Sequence, residues 1–289
     1  MPVSTKLTAT SGCPIRTNPS HSPLNFKFPI SLNDGLVIEA VYYGSGTLCI
    51  SSQAGCALAC PFCASGSQGL KRQLTAAELH LQLQRLRQNG FEPQRLTISG
   101  IGEPLHNWEN VRSYMLACQK NGPGISVTTT GVVLKHLAEL VELAENGVMI
   151  SLHAADAEIH QQLIPKGPDF ELLCTEIDRI YHLISRRKRR KIGINYLLFS
   201  RVNDREADLL ALQRLMQRWP DFTLHLLRYN PVVGMDFHSD PDNMDHWHDY
   251  LHEKGISVRR PNRWRSNTDG GCGTLYLRGF EDQEKRNSP

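Results

Sequence analysis

No stretch of this 289-residue chain approaches the roughly 18 consecutive apolar residues that a membrane-spanning helix needs. Its first residues, MPVSTKLTATSGCP, hold no apolar run of the kind that directs secretion. A cytoplasmic protein that stays out of membranes is therefore expected. Extreme charge is missing too: 32 Lys and Arg against 29 Asp and Glu leave a net +3, which permits a polyanionic partner without demanding one. Low-complexity tracts and sequence repeats are absent. With 40% hydrophobic and 21% charged residues the composition is that of a folded globular protein.

Cysteine is not scarce, and its distribution is uneven. Four of the eight cysteines, Cys49, Cys56, Cys60 and Cys63, fall within the segment GTLCISSQAGCALACPFCASG. In a reducing compartment such clustering points to metal ligation or redox catalysis before structural disulfides. Cys56, Cys60 and Cys63 form C-x3-C-x2-C. Tetrahedral structural zinc needs a fourth ligand, and no Cys or His follows at a finger-like spacing. Three thiolates on a cubic iron–sulfur cluster would leave one iron open to a substrate or cofactor.

From residue 46 onward, short β-branched runs alternate with longer helical-period stretches, the pattern of βα units around a parallel sheet. Candidate strands are 47–51, 95–99, 125–130, 148–153, 192–199 and 223–229, with helices near 75–89, 108–121, 134–146, 170–185, 205–218 and 243–254. Thr75 and Glu78 have the spacing of a capping box at the first helix. Residues 36–43 read as one further strand, and residues 1–35, rich in Pro, Ser, Thr and Asn, as irregular chain. A (βα)6 partial barrel is the economical architecture, with a doubly wound sheet as the alternative. Each of the six strands runs at its carboxyl end into a polar or Gly-rich segment: the cysteine loop, SGIGEPLHN, TTTG, Ser151-Leu152-His153, SRVND and Tyr229-Asn230-Pro231. Barrel chemistry sits at that end, so one shared site is expected.

The C-x3-C-x2-C spacing, with the aromatic Phe62 before its last cysteine, resembles the radical S-adenosylmethionine superfamily. The ordered words CISSQAGCALACPFC, GSQGLKRQLT, GIGEPLHN, TTTGVV, SLHA, VND, YNP and GGCGTL are similar to the motif series of the RlmN and Cfr family, which methylates adenosine in RNA. The resemblance covers residues 36–278. It implies an α/β fold, the radical-SAM partial (βα)6 TIM-type barrel with a short N-terminal extension. On that reading residues 1–45 are the extension with one strand, 46–278 the core with a C-terminal cysteine loop, and 279–289 a tail.

By the same resemblance, Cys56, Cys60 and Cys63 ligate a 4Fe-4S cluster. Gly102, Glu103, Thr128, Ser151, Leu152, His153 and Asn230 match positions that bind S-adenosyl-L-methionine. Cys272 matches the methyl-carrying cysteine, Cys49 its partner, and Glu39 the residue proposed to accept a proton. The implied chemistry methylates Cys272 with one cofactor molecule. A 5′-deoxyadenosyl radical from a second then activates the S-methyl group for addition to an adenine ring carbon, C2 or C8. Attack of Cys49 on the Cys272 sulfur releases product and leaves a Cys49–Cys272 disulfide. The resemblance further implies an RNA substrate (rRNA or tRNA), an electron donor such as flavodoxin or ferredoxin, and a monomer in the cytoplasm.

The chain departs from the family where only about 35 residues precede the matched region, so a short member without the usual amino-terminal domain is expected. Tyr229 stands where Trp is frequent, and Thr128 where Ser is. A small molecule or peptide stays open as the alternative substrate of the same machinery. The basic run Arg186 to Lys191 reads equally as a solvated loop opposite the mouth or an RNA contact. Arg259, Arg260, Arg263 and Arg265, with Trp264 among them, precede Cys272 and are expected near the mouth, where guanidinium groups can hold phosphates and indole can stack on a base. Cys118 and Cys174 read as small buried hydrophobes in helices, and His248 and His252 as one exposed helix face.

Overall fold

The computed structural model describes residues 25–260, 263–266, 271 and 273–277. In chain order the elements are β1 (Asn25–Ser31), β2 (Val37–Tyr43), β3 (Thr47–Ile50), β4 (Gln53–Gly55), β5 (Leu70–Gln73), α1 (Ala76–Gln88), β6 (Arg95–Ile98), α2 (Trp108–Asn121), β7 (Ile125–Thr129) and α3 (Leu137–Leu143). They continue as β8 (Gly147–Ser151), α4 (Ala157–Leu163), α5 (Phe170–Leu183), α6 (Arg186–Arg189), β9 (Ile192–Leu198), α7 (Glu206–Gln217), β10 (Thr223–Arg228), α8 (Pro241–Glu253) and β11 (Val258–Arg259).

Period-2 patterning builds the central layer, with the apolar residues on its outer side. Leu48, Ile50, Leu96, Ile98, Val127, Ile150, Ile194 and Leu224 are at most 1% exposed and share one core with Leu79 and Leu83 of α1, Met115 of α2, Leu140 of α3, Leu173 of α5 and Trp247 of α8. Each such side chain contributes about 1.5–3 kcal/mol by leaving water. The intervening positions, Thr47 and Cys49, Thr97, Ser126 and Thr128, Asn195, and His225, are mostly polar and share the opposite face by register. That inner face carries the chemistry.

The sheet order is β1-β2-β3-β6-β7-β8-β9-β10-β11. From β3 onward every neighbouring pair is parallel. The order never reverses, so the doubly wound alternative is excluded. Residues from β3 round to β11 line a single cavity, which shows that the sheet curls on itself. β3 and β10 are not paired, leaving a lateral opening. Among the described residues no helix is long and apolar enough to cross a membrane.

One expectation is corrected at the amino-terminal side. Residues 25–31 are not irregular but form β1, paired antiparallel with β2 in unbroken register from Asn25↔Tyr43 to Ser31↔Val37. Phe28 and Ile30 anchor it in the core. Pro29 is tolerated because β1 is the sheet edge, where a missing amide donor breaks no ladder. The extension therefore holds two strands.

Candidate active site

The cysteine loop follows β4 and is held from beneath by buried polar side chains. Gln82 of α1 bonds both the amide and the carbonyl of Ser51, each at 2.8 Å. Asn107 donates to the carbonyls of Ser52 and Leu74, each at 2.7 Å. Gln53, fully buried, accepts the Glu103 amide at 2.7 Å and donates to Gln73 at 2.8 Å. Phe62 packs on Phe199, with ring centroids 5.0 Å apart, and edge-on to His153 at 5.5 Å.

Cys56 is buried and Cys60 and Cys63 are half-buried. Burial, together with repulsion from Cys63 and Glu103, pushes the Cys56 thiol up to about 12, and burial with its two neighbouring cysteines pushes Cys60 up as well. Three crowded thiols of this kind become thiolates only when cationic metal compensates them. Among the described residues no three Cys, His, Asp or Glu side chains converge tightly enough to ligate one metal ion. A cluster that offers a separate iron corner to each thiolate suits an all-cysteine loop. The donor set fits the 4Fe-4S group.

Glu103 is 2% exposed, and its carboxylate is filled from within the protein. Oε1 accepts the Leu105 amide at 3.0 Å and the Thr129 hydroxyl, and Oε2 accepts the Thr130 amide at 2.8 Å and hydroxyl at 2.9 Å. It thus ties the β6 loop to the end of β7. Gly102 has φ +106°, and a Cβ there would lie 2.6 Å from Gln53 Cβ. Only glycine keeps this backbone against Gln53. The pair stands at the carboxyl end of β6, next to the strand that leads into the cysteine loop.

Thr128 is paired in register with Met149, which lines the barrel cavity. Leu152 and His153 both donate their amides to the Asn195 carbonyl, at 3.1 and 3.2 Å. His153 has φ +58°, unusual for a non-glycine residue. Asn203 holds it there, fully buried, donating to the carbonyls of His153 and Leu197 and accepting the Phe199 amide, each at 2.7 Å. Burial drives the His153 pKa down to about 3, and Nδ1 accepts the Leu197 amide at 3.1 Å, so the ring is neutral. Asn230 donates to the Arg265 carbonyl at 2.9 Å.

Cys49 and Glu39 share the inner face, since Val41, two residues from Glu39, registers with Cys49. Cys49 Sγ lies 3.2 Å from Ser99 Oγ, which accepts from Thr97. Glu39 is not a solvent-facing strand residue: it is 2% exposed, 3.7 Å from Lys27 Nζ, and accepts the Tyr276 amide at 2.9 Å. The carboxyl-terminal segment also meets the cysteine loop, Ala64 donating to the Gly273 carbonyl at 2.9 Å and Ser65 to the Leu275 carbonyl at 2.8 Å. Cys272 lies outside the described residues.

The structure therefore brings the cysteine loop, Gly102, Glu103, Thr128, the 151–153 segment, Asn230, Cys49 and Glu39 to one end of the barrel. It does not bring Arg259 or Arg260 there, while the Arg265 backbone reaches Asn230. β11 registers with the start of β10, Val258 with Leu224 and Arg259 with His225, so Arg259 and Arg260 sit toward the opposite end. The run Arg186 to Lys191 is mostly a short helix at that far end, with Arg186 2.9 Å and Arg189 3.4 Å from Asp221 and Lys188 paired with Glu142. Cys118 and Cys174 are buried in α2 and α5. Gln53, Gln82, Asn107 and Asn203 receive no role from the sequence. Their signal was a polar amide set inside or beside each motif word.

A three-cysteine loop over a parallel partial barrel, with Gly-Glu at the next strand end, is the arrangement of a radical S-adenosylmethionine enzyme. Residues 50–212 match the sequence profile of the Radical SAM superfamily. Relatives include a probable RNA methyltransferase of Rhodopseudomonas palustris (strain BisB5), 34% identical over 91% of this chain and 74% of its own length. Another is the dual-specificity RNA methyltransferase RlmN of Halorhodospira halophila, 33% identical over 86% of this chain and 72% of its own length. A radical SAM methyltransferase from Sphaerobacter thermophilus has a similar structure, with TM-score 0.76 and 26% identity over 90% of this chain and 79% of that one. The chain belongs to the radical SAM methyltransferases of the RlmN family. Membership brings a 4Fe-4S cluster and S-adenosyl-L-methionine as its cofactors.

Proposed function

We propose that this enzyme methylates an adenine ring carbon, C2 or C8, of an rRNA or tRNA in the cytoplasm, working as a monomer fed by a flavodoxin or ferredoxin. Cys56, Cys60 and Cys63 hold the cluster. Gly102, Glu103, Thr128, Ser151, Leu152, His153 and Asn230 surround the cofactor. Cluster and cofactor together supply the radical that activates a methyl group. Cys272 carries that methyl carbon to the base, forming a thioether to the adenine. Glu39 takes the proton lost from the ring carbon, and the cluster, oxidised by one electron when the cofactor is cleaved, would take back the adduct's odd electron. Cys49 then attacks the Cys272 sulfur as a thiolate: the S–S bond forms, the bond from sulfur to the methyl carbon breaks, and its electron pair stays with the product carbon, which takes up a proton to become methyl.

One observation carries this reading. The chain beside Cys272 is fastened on two sides, Gly273 to the cysteine loop through Ala64 and Tyr276 to Glu39, and Glu39 shares its sheet face with Cys49. These bonds support the reading in which the segment that contains Cys272 serves both the cysteine loop and the Glu39–Cys49 pair. The relatives named as RNA methyltransferases support RNA as substrate. Nucleoside mass spectrometry of RNA from cells with and without the gene tests it. A C2- or C8-methyladenosine present only with the gene is expected, and identical nucleoside profiles would reject the RNA assignment.

A further inference from the structure

The barrel has a second concave site, at the end remote from the cysteine loop. A cavity of about 560 Å³ reaches inward from the amino-terminal starts of the strands, past Thr47 and Ser126, to Met149 and Asn195. Four arginines line it, Arg95, Arg259, Arg260 and Arg265, and no carboxylate does among the described residues. Arg260 is committed to Asp245 and Asp249. Among the described residues neither Arg95 nor Arg259 has an acidic partner. Arg95 and Arg259 are exposed at the rim, where two guanidinium groups can converge on one anion.

The floor of the cavity is polar and built. Asn195 is 6% exposed and lines the hollow, and its side-chain amide has no hydrogen-bond partner among the described residues. Its amide therefore offers a donor and an acceptor to whatever enters the hollow. His225 stands opposite it in register. A Cβ on Gly193 would lie 2.5 Å from Met149 Sδ and 2.8 Å from His225 Cδ2, so the wall is bare where those two side chains cross it. Burial, then Arg259 and Arg265, lowers the His225 pKa to about 4, which leaves a neutral ring able to donate or accept beside the arginines.

We infer that this cavity binds a phosphomonoester of nucleotide size, its phosphate held by Arg95 and Arg259 and its far end by Asn195 and His225. The volume falls within the range of small-molecule sites, roughly 300–1,000 Å³. Guanidinium matches a phosphate's oxygens through paired N–H donors. Met149 and Trp264 supply apolar wall. No residue assigned to methyl transfer lines it, although the backbone carbonyls of Asn195 and Arg265 hold Leu152, His153 and Asn230 from the other side.

The test is isothermal titration of AMP into the full-length protein with its cluster, under saturating S-adenosylmethionine so that the opposite mouth is filled. One AMP per chain is expected, displaced by inorganic phosphate. Arg95→Gln, an exposed and structurally mild change, should weaken binding by about tenfold, near 1.4 kcal/mol. Asn195→Leu, which fills the floor, should abolish it. His225 should also titrate at higher pH, by NMR, once phosphate shields Arg259 and Arg265. No binding of AMP at millimolar concentration, AMP that phosphate cannot displace, or equal affinity in Arg95→Gln would overturn the proposal.

Discussion

Replacing Glu103 by glutamine tests whether this residue is a structural keystone as well as part of the proposed cofactor site. The substitution keeps shape and removes one acceptor oxygen. Oε1 serves Leu105 N–H and the Thr129 hydroxyl, and Oε2 serves the Thr130 N–H and hydroxyl. Whichever way the new amide turns, its NH2 group faces one backbone N–H, either Leu105 or Thr130. The threonine hydroxyl on that side can rotate to accept, but the backbone donor cannot. One buried N–H is then left without a partner, which costs about 1–3 kcal/mol, and the remaining bonds lose the strength that a charged acceptor gave them. A total of about 2–4 kcal/mol follows, read from urea denaturation of the two proteins side by side. A loss below about 0.5 kcal/mol would refute the reasoning, because the carboxylate would then be serving no donor that glutamine cannot.

Two further outcomes follow from the segment after β8. Asn203→Ala strands the Phe199 amide and the carbonyls of His153 and Leu197, so a loss of about 3 kcal/mol is expected, together with weaker S-adenosylmethionine binding measured by equilibrium dialysis; wild-type values for both would count against it. His153 has a folded pKa near 3 against an ordinary 6.5. Below pH 6.5 the unfolded chain takes up a proton that the folded chain refuses, so stability falls as pH drops from 6.5 toward 3. Between pH 7 and pH 5 the contribution is about 2 kcal/mol. His153→Gln should flatten the pH dependence by that amount, and an unchanged slope would show that the ring charges in the folded state.

Much of the fold was legible because the barrel strands carry an unusually clear alternation. TLCI, RLTI and ISVTT each place apolar side chains outward and small polar ones inward. The site was legible because each motif word stands at the carboxyl end of a strand, and parallel pairing in chain order gathers those ends. What escaped has identifiable causes. NFKFPIS looked irregular because of its Asn and Pro, yet as an edge strand it needs only Phe28 and Ile30 to anchor it. The hairpin of β4 and β5 spans the cysteine loop, and no short-range pattern announces a pairing across nineteen intervening residues, Gln53 with Gln73. Arg259 was misplaced because sequence distance from Cys272 says nothing about which end of the barrel β11 joins. Gln53 and Asn203 were overlooked because an amide's role depends on backbone groups far from it in sequence.

The central claim is that Cys272 carries the methyl carbon and Cys49 releases the product. The direct measurement is mass spectrometry of anaerobically reconstituted Cys49→Ala protein after reaction with RNA and S-adenosylmethionine, the Cys272 peptide being followed through nuclease and protease digestion. A covalent adduct of that peptide with a methylene-bridged adenosine is the expected result, with no free methyladenosine. Release of methyladenosine at the wild-type rate, with Cys272 unmodified, would contradict the account.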